Sequence, residues 1–294
     1  MATPDELARM QEIQRLIRQK QIAEGVRRMI ALLNQARRDI VADVMETDWE
    51  RFYLPRLRTA IERHLNHWQD LALQRLTGDQ AASWTLAQQD MQQLFRDLAV
   101  DVHLPELPTS LLQTLQTKAA RHIGHLMNFA KDQIDRTIAL ALLTGESRED
   151  TIAKLGRHLE YGTPFGPPAG KFGTIAARAR FIYEHEVAGA YAEAKHRRFA
   201  QSARYAPGLK KVWVHQGHPR VPRLDHIAMH GQQRGPDEDF RNPMTGAELA
   251  FPRDLSADIG ETAGCTCDFM GWRDEFGTLA DFIGPATTAA RRAA

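Results

Sequence analysis

Cysteine is nearly absent from this chain. There are two in 294 residues, Cys265 and Cys267, separated by one position. Two thiols are too few for a disulfide scaffold, and a bridge between them reads as strained, their side chains being expected to diverge. Net charge is also nearly absent, with 38 Lys+Arg against 37 Asp+Glu, so bulk charge selects neither an acidic nor a basic partner. Long apolar runs are missing. The longest patch, Ile138 to Leu143, falls far short of the ~20 residues that cross a bilayer. The opening MATPDELARMQEIQRL carries acids and has no apolar signal region. These absences predict a protein made in the cytosol, with no membrane partner. P-loop, HExxH, nucleophile-elbow and paired-carboxylate motifs are missing too.

What is present is helical patterning on a soluble composition, 43% hydrophobic and 26% charged. Thr3-Pro4 reads as a helix start. Leu7, Met10, Ile13, Ile17, Val26, Ile30, Leu33, Ile40 and Val44 then recur at helical spacing and are expected to face a core. Thr47-x-x-Glu50 resembles a capping box, and Pro55 marks a restart. Leu57, Ile61, Leu65 and Trp68 form a second stripe, which LTGDQ (76–80) is expected to break before a third with Met91, Leu94 and Phe95. HLPELP is a turn. A long helix with Ile123, Met127, Ile134 and Ile138 ends at Gly145, and Ser147 caps a shorter one to about Leu159. His122 and His125 read as core or solvated histidines of the long helix.

Seven of the twelve residues in GTPFGPPAGKFG (162–173) are Gly or Pro, a segment that cannot continue a helix. Thr174 starts another helix, to about Tyr205. Beyond Pro207-Gly208, KKVWVHQ has the β-branched and aromatic texture of a strand, and turns dominate to about Phe276. The expected fold is α+β: a mainly helical region (1–161), a linker (162–173), a small α+β module of short strands (174–276) and a mobile tail (277–294).

Between Lys171 and Lys211, nine basic residues face three acids. Arg178, Arg180, Lys195, Arg197, Arg198, Lys210 and Lys211 are therefore candidates for sequence-independent contacts to double-stranded DNA. The competing reading is a solvated helical face.

Chemistry concentrates between His215 and Cys267. VHQGHPRVPRLDHIAMHG places His215, His218, His226 and His230 within sixteen residues. His226 and His230, at i and i+4, would share one side of a helical turn, and with Cys265 and Cys267 they would make a tetrahedral zinc set. Cys-x-Cys has one intervening residue where zinc pairs usually have two to four, so it needs an unusual backbone, for which Gly264 is suited. The alternative is that the cysteines pack as small apolar residues on a short strand. Asp225-His226 beside Arg223 also reads as a base next to an anion-binding group, with Arg220 and Arg223 able to hold a phosphate.

The order of these features carries a resemblance. ARFIYEHEVAGAYAEAKHRRF leads to KKVWV, then Arg223-x-x-His226, Gly231, an acidic stretch ending at Phe240, ELAFP with Pro252, and Cys265-x-Cys267. Over about residues 174–275 this resembles the phage Mu protein F-like family, the head-morphogenesis or minor head protein domain of tailed double-stranded DNA phages. Glu186, Arg223, His226, Gly231, Phe240, Pro252, Cys265 and Cys267 match its pattern. The resemblance implies a non-enzymatic role in procapsid assembly, with portal, capsid or scaffold proteins as partners and effects on DNA packaging or ejection. It implies a location in the host cytoplasm during assembly and then in the procapsid or virion head. The alternative is a nuclease-like or other hydrolytic enzyme using His226, Arg223 and Glu186, with or without zinc. A second alternative is a DNA-binding adaptor.

Overall fold

The computed structural model describes residues 4–46, 54–97, 104–159, 174–217 and 223–284. The Gly/Pro segment 162–173, the Thr47–Glu50 capping box, His218, Arg220 and the tail beyond Gly284 lie outside the described residues.

The fold is α+β. Five helices come first: α1 (Pro4–Glu46), α2 (Leu54–Asp97), α3 (Thr109–Thr144), α4 (Arg148–Leu159) and α5 (Ile175–Ala203). Their termini follow local chemistry. Ser147 Oγ accepts the Asp150 backbone N–H at 3.1 Å, and Thr174 Oγ1 accepts that of Ala177 at 3.1 Å, each satisfying a donor the helix cannot. Among the described residues no helix is long and apolar enough to cross a membrane.

Two expectations are corrected. LTGDQ does not break α2. Gly78 sits mid-helix facing open space, Arg75 Nε bonds Asp79 Oδ2 at 2.8 Å, and Leu76 and Gln80 are both fully buried. One glycine costs a helix about 1 kcal/mol relative to alanine, less than such burial returns. The first turns of α1 also face the other way. Ile13, Leu16 and Ile17 are 50%, 51% and 46% exposed, whereas Arg15 and Arg18 are each 4% exposed.

The chain packs as two compact units that do not follow chain order. Unit 1 gathers Met1–Gln21, Gln80–Leu112 and Val187–Ala294; unit 2 gathers Ile22–Asp79 and Gln113–Glu186. Unit 2 buries apolar stripes: Met29, Leu33, Ile40 and Val44 from α1, Leu65, Trp68 and Leu76 from α2, Ile123, Leu126, Ile134 and Ile138 from α3. The Tyr183 hydroxyl bonds Asp79, and its ring end lies where a side chain on Gly25 would stand, so only glycine admits that approach.

Unit 1 contains the sheets. Strand β1 (Lys210–Val214) lies between β2 (Gln233–Arg234) and β5 (Asp268–Trp272), antiparallel to both; β3 (Phe240–Arg241) pairs with β4 (Glu248–Leu249). Short helices α6 (Leu224–Ala228) and α7 (Ile259–Thr262) lie between strands, and α8 (Leu279–Ile283) follows β5. The Trp213 ring meets Phe240 and His226 edge-on, at 5.3 and 5.4 Å. Charge is buried among these aromatics. Asp268 receives Arg18 Nη2 at 2.9 Å and Lys195 Nζ at 2.7 Å. Burial would raise the Asp268 carboxyl, but the Lys195 and Arg18 charges hold it well below the usual range. This pairing is what turns Arg18 inward and leaves Ile13 and Ile17 outside.

Candidate metal centre

The site is built from three short elements of unit 1. Helix α6 presents Asp225 and His226; the α7 turn presents Glu261; the segment entering β5 presents Cys265 and Cys267. Gly264, at φ +64°, reverses the chain after α7, and the Cys265 N–H closes the turn on the Thr262 carbonyl at 3.1 Å. Arg253 takes a left-handed φ of +66°, and its Nε donates to the Cys265 carbonyl at 2.7 Å. That bond helps offset a backbone strain of about 1–2 kcal/mol.

The cysteines do not diverge. Residues two apart on extended backbone face one side, and both sulfurs meet one nitrogen: His226 Nδ1 is 3.4 Å from Cys265 Sγ and 3.6 Å from Cys267 Sγ. His226, Cys265 and Cys267 are 1%, 6% and 3% exposed. Their donor atoms all lie within 4.8 Å of one another, a cluster that could bind a metal. The Cys265 thiol is pushed well down, chiefly by a hydrogen bond from Cys267 and, against burial, by His226. Burial and the neighbouring Cys265 push the Cys267 thiol up. Two thiols of unequal acidity beside one imidazole are a usable ligand set, because a metal displaces the thiol protons as it binds.

His230 is not in the cluster. Helix α6 stops at Ala228, so His230 falls in the turn beyond it. Its Nδ1 accepts the His215 N–H at 3.0 Å, and its Nε2 donates to the Gly284 carbonyl at 2.9 Å. The histidine that does approach is His215, with Nδ1 3.3 Å from Cys267 Sγ. The register explains it: Val214 pairs with Asp268, which sets the next residue of β1's chain opposite Cys267.

The other edge of His226 faces carboxylates. Nε2 lies 3.7 Å from Asp225 Oδ2 and 3.9 Å from Glu261 Oε2. Asn242 Nδ2 bonds both of those oxygens, at 3.1 and 2.9 Å. Arg223 is not an anion holder. Its Nη2 donates to Asp225 Oδ2 and the Gly260 carbonyl, and its Nη1 to the carbonyls of Glu261 and Ala263, so the guanidinium binds the α7 turn to α6.

Other sequence candidates lie elsewhere. Glu186 belongs to unit 2, fully buried, with Oε1 2.7 Å from His122 Nδ1. Three of the proposed DNA contacts turn inward. Lys195 is spent on Asp268 and the Phe269 carbonyl. Arg198 is spent on the Pro105 carbonyl and Gln88. Lys211 is spent on the Ala250 carbonyl at 2.7 Å, and burial pushes its ammonium down to about 8. Arg180 and Arg197 pair with Glu184 and Glu193 one helical turn away, Lys210 reaches Asp274, and Arg178 lies over the Phe129 ring. Sequence reasoning missed Asn242, Glu261 and the role of His215. Asp258-x-x-Glu261 reads only as a helix start, and the Asp258 side chain does accept the Gly260 N–H at 2.6 Å.

No family model matches the chain, and no solved structure matches it. A curated Bacillus subtilis (strain 168) protein, "Uncharacterized protein YqbB", is 37% identical over 92 residues. The match spans 31% of this chain and 29% of YqbB.

Proposed function

We propose that this chain is a minor head protein of a tailed double-stranded DNA phage or prophage, acting in procapsid assembly, with a structural zinc ion on His226, Cys265 and Cys267. The observation that carries the structural reading is burial: the three donors are 1%, 6% and 3% exposed, and a centre that turns over substrate must meet it. Zinc suits the donors by type and spacing. Zn–S of about 2.3 Å and Zn–N of about 2.0 Å at a tetrahedral angle give N···S edges of roughly 3.5 Å; the two here are 3.4 and 3.6 Å. The order of motifs from Glu186 to Cys267 supports the head-protein reading, with portal, capsid or scaffold proteins as partners and the procapsid as location. Its test is co-purification with portal or proheads and a deletion phage. Defective heads are expected, and normal infectious particles would remove the assignment. Elemental analysis of protein purified without added metal should find about one zinc per chain.

The competing reading is a hydrolase. It draws on the line Asp225–His226–Cys265, a carboxylate, an imidazole and a lowered thiol in sequence. Cleavage of DNA or RNA by purified protein, abolished by His226→Ala, would favour it. A DNA adaptor retains less support with Lys195, Arg198 and Lys211 turned inward; binding that weakens steeply with salt would restore it.

A further inference from the structure

His226 belongs to two overlapping donor groups. One is His226, Cys265 and Cys267; the other is Asp225, His226 and Glu261. Each could hold a cation by donor type, and the imidazole offers Nδ1 to the first and Nε2 to the second. The surroundings of the two groups differ. Around the sulfurs stand weak hydrogen-bonding partners, among them His226, His215 and Trp213, with the Arg253 guanidinium held on the Cys265 carbonyl rather than on either sulfur. Around the carboxylates stand donors that compete with any cation. Asp225 Oδ2, the oxygen nearest Nε2, already takes the Arg223 guanidinium at 3.1 Å and the Asn242 amide at 3.1 Å. Glu261 Oε2, the other oxygen facing Nε2, takes the same amide at 2.9 Å. A hard cation there would have to displace Asn242, which is fully buried, and sit against a guanidinium.

We infer that Asp225 and Glu261, pinned by Asn242, are positioning residues of the Cys265–Cys267–His226 metal centre rather than a second cation site. Nε2 of His226 is buried and has no hydrogen-bond partner among the described residues, yet two carboxylates stand just beyond hydrogen-bond distance on that side. Their negative charge favours a proton on Nε2. A proton on Nε2 leaves the Nδ1 lone pair for the metal, and a carboxylate behind a ligating histidine fixes its ring orientation. Asn242 explains why both carboxylates hold position: one amide group spans them, and Asn242 Oδ1 is itself fixed by the Met244 N–H at 3.0 Å.

This inference rests on the zinc reading, and one experiment separates the two. Full-length wild-type protein, Asp225→Asn, Glu261→Gln and the double variant are assayed for zinc content. Zn²⁺ affinity is measured by competition with a chromophoric chelator. ¹⁵N-labelled histidine reports the protonation of the His226 ring. Expected are one zinc per chain in all four, affinity weakened about 10–100-fold in the double variant, near wild-type affinity in a fifth protein, Asp225→Glu, which keeps the carboxylate, and a protonated Nε2 with metal-shifted Nδ1 in the wild type. Asp79→Asn, in unit 2, controls for lost stability and should leave zinc affinity unchanged. Wild-type protein without zinc removes the zinc reading and this inference with it. Zinc held equally tightly by the double variant overturns the positioning role alone. Two metals per chain, one lost in the double variant, would make Asp225 and Glu261 a cation site.

Discussion

Unit 2 and unit 1 bury different kinds of side chain. Unit 2 closes mainly on Leu33, Ile40, Leu65, Trp68, Ile123 and Ile138, residues set by helical period, with Glu186 on His122 as a buried charge. Unit 1 closes on aromatics together with Arg18, Arg198, Lys211, His215, His226, Asn242 and Asp254, all under 9% exposed. Apolar burial is non-directional and forgives small shifts. Buried polar groups demand their partners, and losing one leaves another stranded. One chain therefore combines a unit specified by pattern with a unit specified by pairing.

Metal removal should separate them furthest. A strong chelator, or Cys265→Ser with Cys267→Ser, is expected to abolish the near-UV dichroism of unit 1's aromatic core while most far-UV helix signal persists. Simultaneous loss of both signals would erase the distinction. Next is Asp268→Asn, which strands Lys195 and Arg18 and should cost about 3–5 kcal/mol in denaturant titration. Leu65→Ala in unit 2 should cost about 2–5 kcal/mol through lost burial and a cavity. If Asp268→Asn proved neutral, pairing would not be what specifies unit 1.

Acid should act on unit 1 through His196. Burial first, then the Lys211 and Arg197 charges, lower its imidazole from 6.5 to about 4. The unfolded chain binds that proton at the higher pH, so stability is present above about 6.5 and is lost as pH falls toward 4. His196→Phe keeps the stacking on Phe251, 4.7 Å away, and should flatten that part of the pH–stability curve. The smallest effect is Gly78→Ala, which meets no neighbour and should stabilise α2 by about 1 kcal/mol.

The same contrast explains what the sequence made legible. Stripes such as Val26 to Val44, the caps at Ser147 and Thr174, and the strand KKVWV report on local physics and stand where period and turn chemistry place them. Ile13 and Ile17 carry the same period yet lie outside, because Arg18 finds Asp268 250 positions away and no local pattern encodes that. His226, Cys265 and Cys267 were visible as rare metal-binding types. His215 needed the β1–β5 register, and Glu261 and Asn242 needed the tertiary meeting of α7 with the loop after β3. Lys195 and Lys211 were misread because a basic side chain looks the same in sequence whether its ammonium meets a phosphate or a buried carbonyl.

The Arg18–Asp268 pair also sets an order of events. Residue 18 is synthesised long before residue 268, at roughly 5–20 residues per second. For tens of seconds the start of α1 has its guanidinium and no carboxylate to receive it, while every segment of unit 2 is complete once Glu186 has emerged. Unit 2 can fold during translation, whereas unit 1 waits for its last strand. The long sequence separation makes that closure the slow step, and until it happens the apolar face meant for β5 stays open to whatever binds nascent chains.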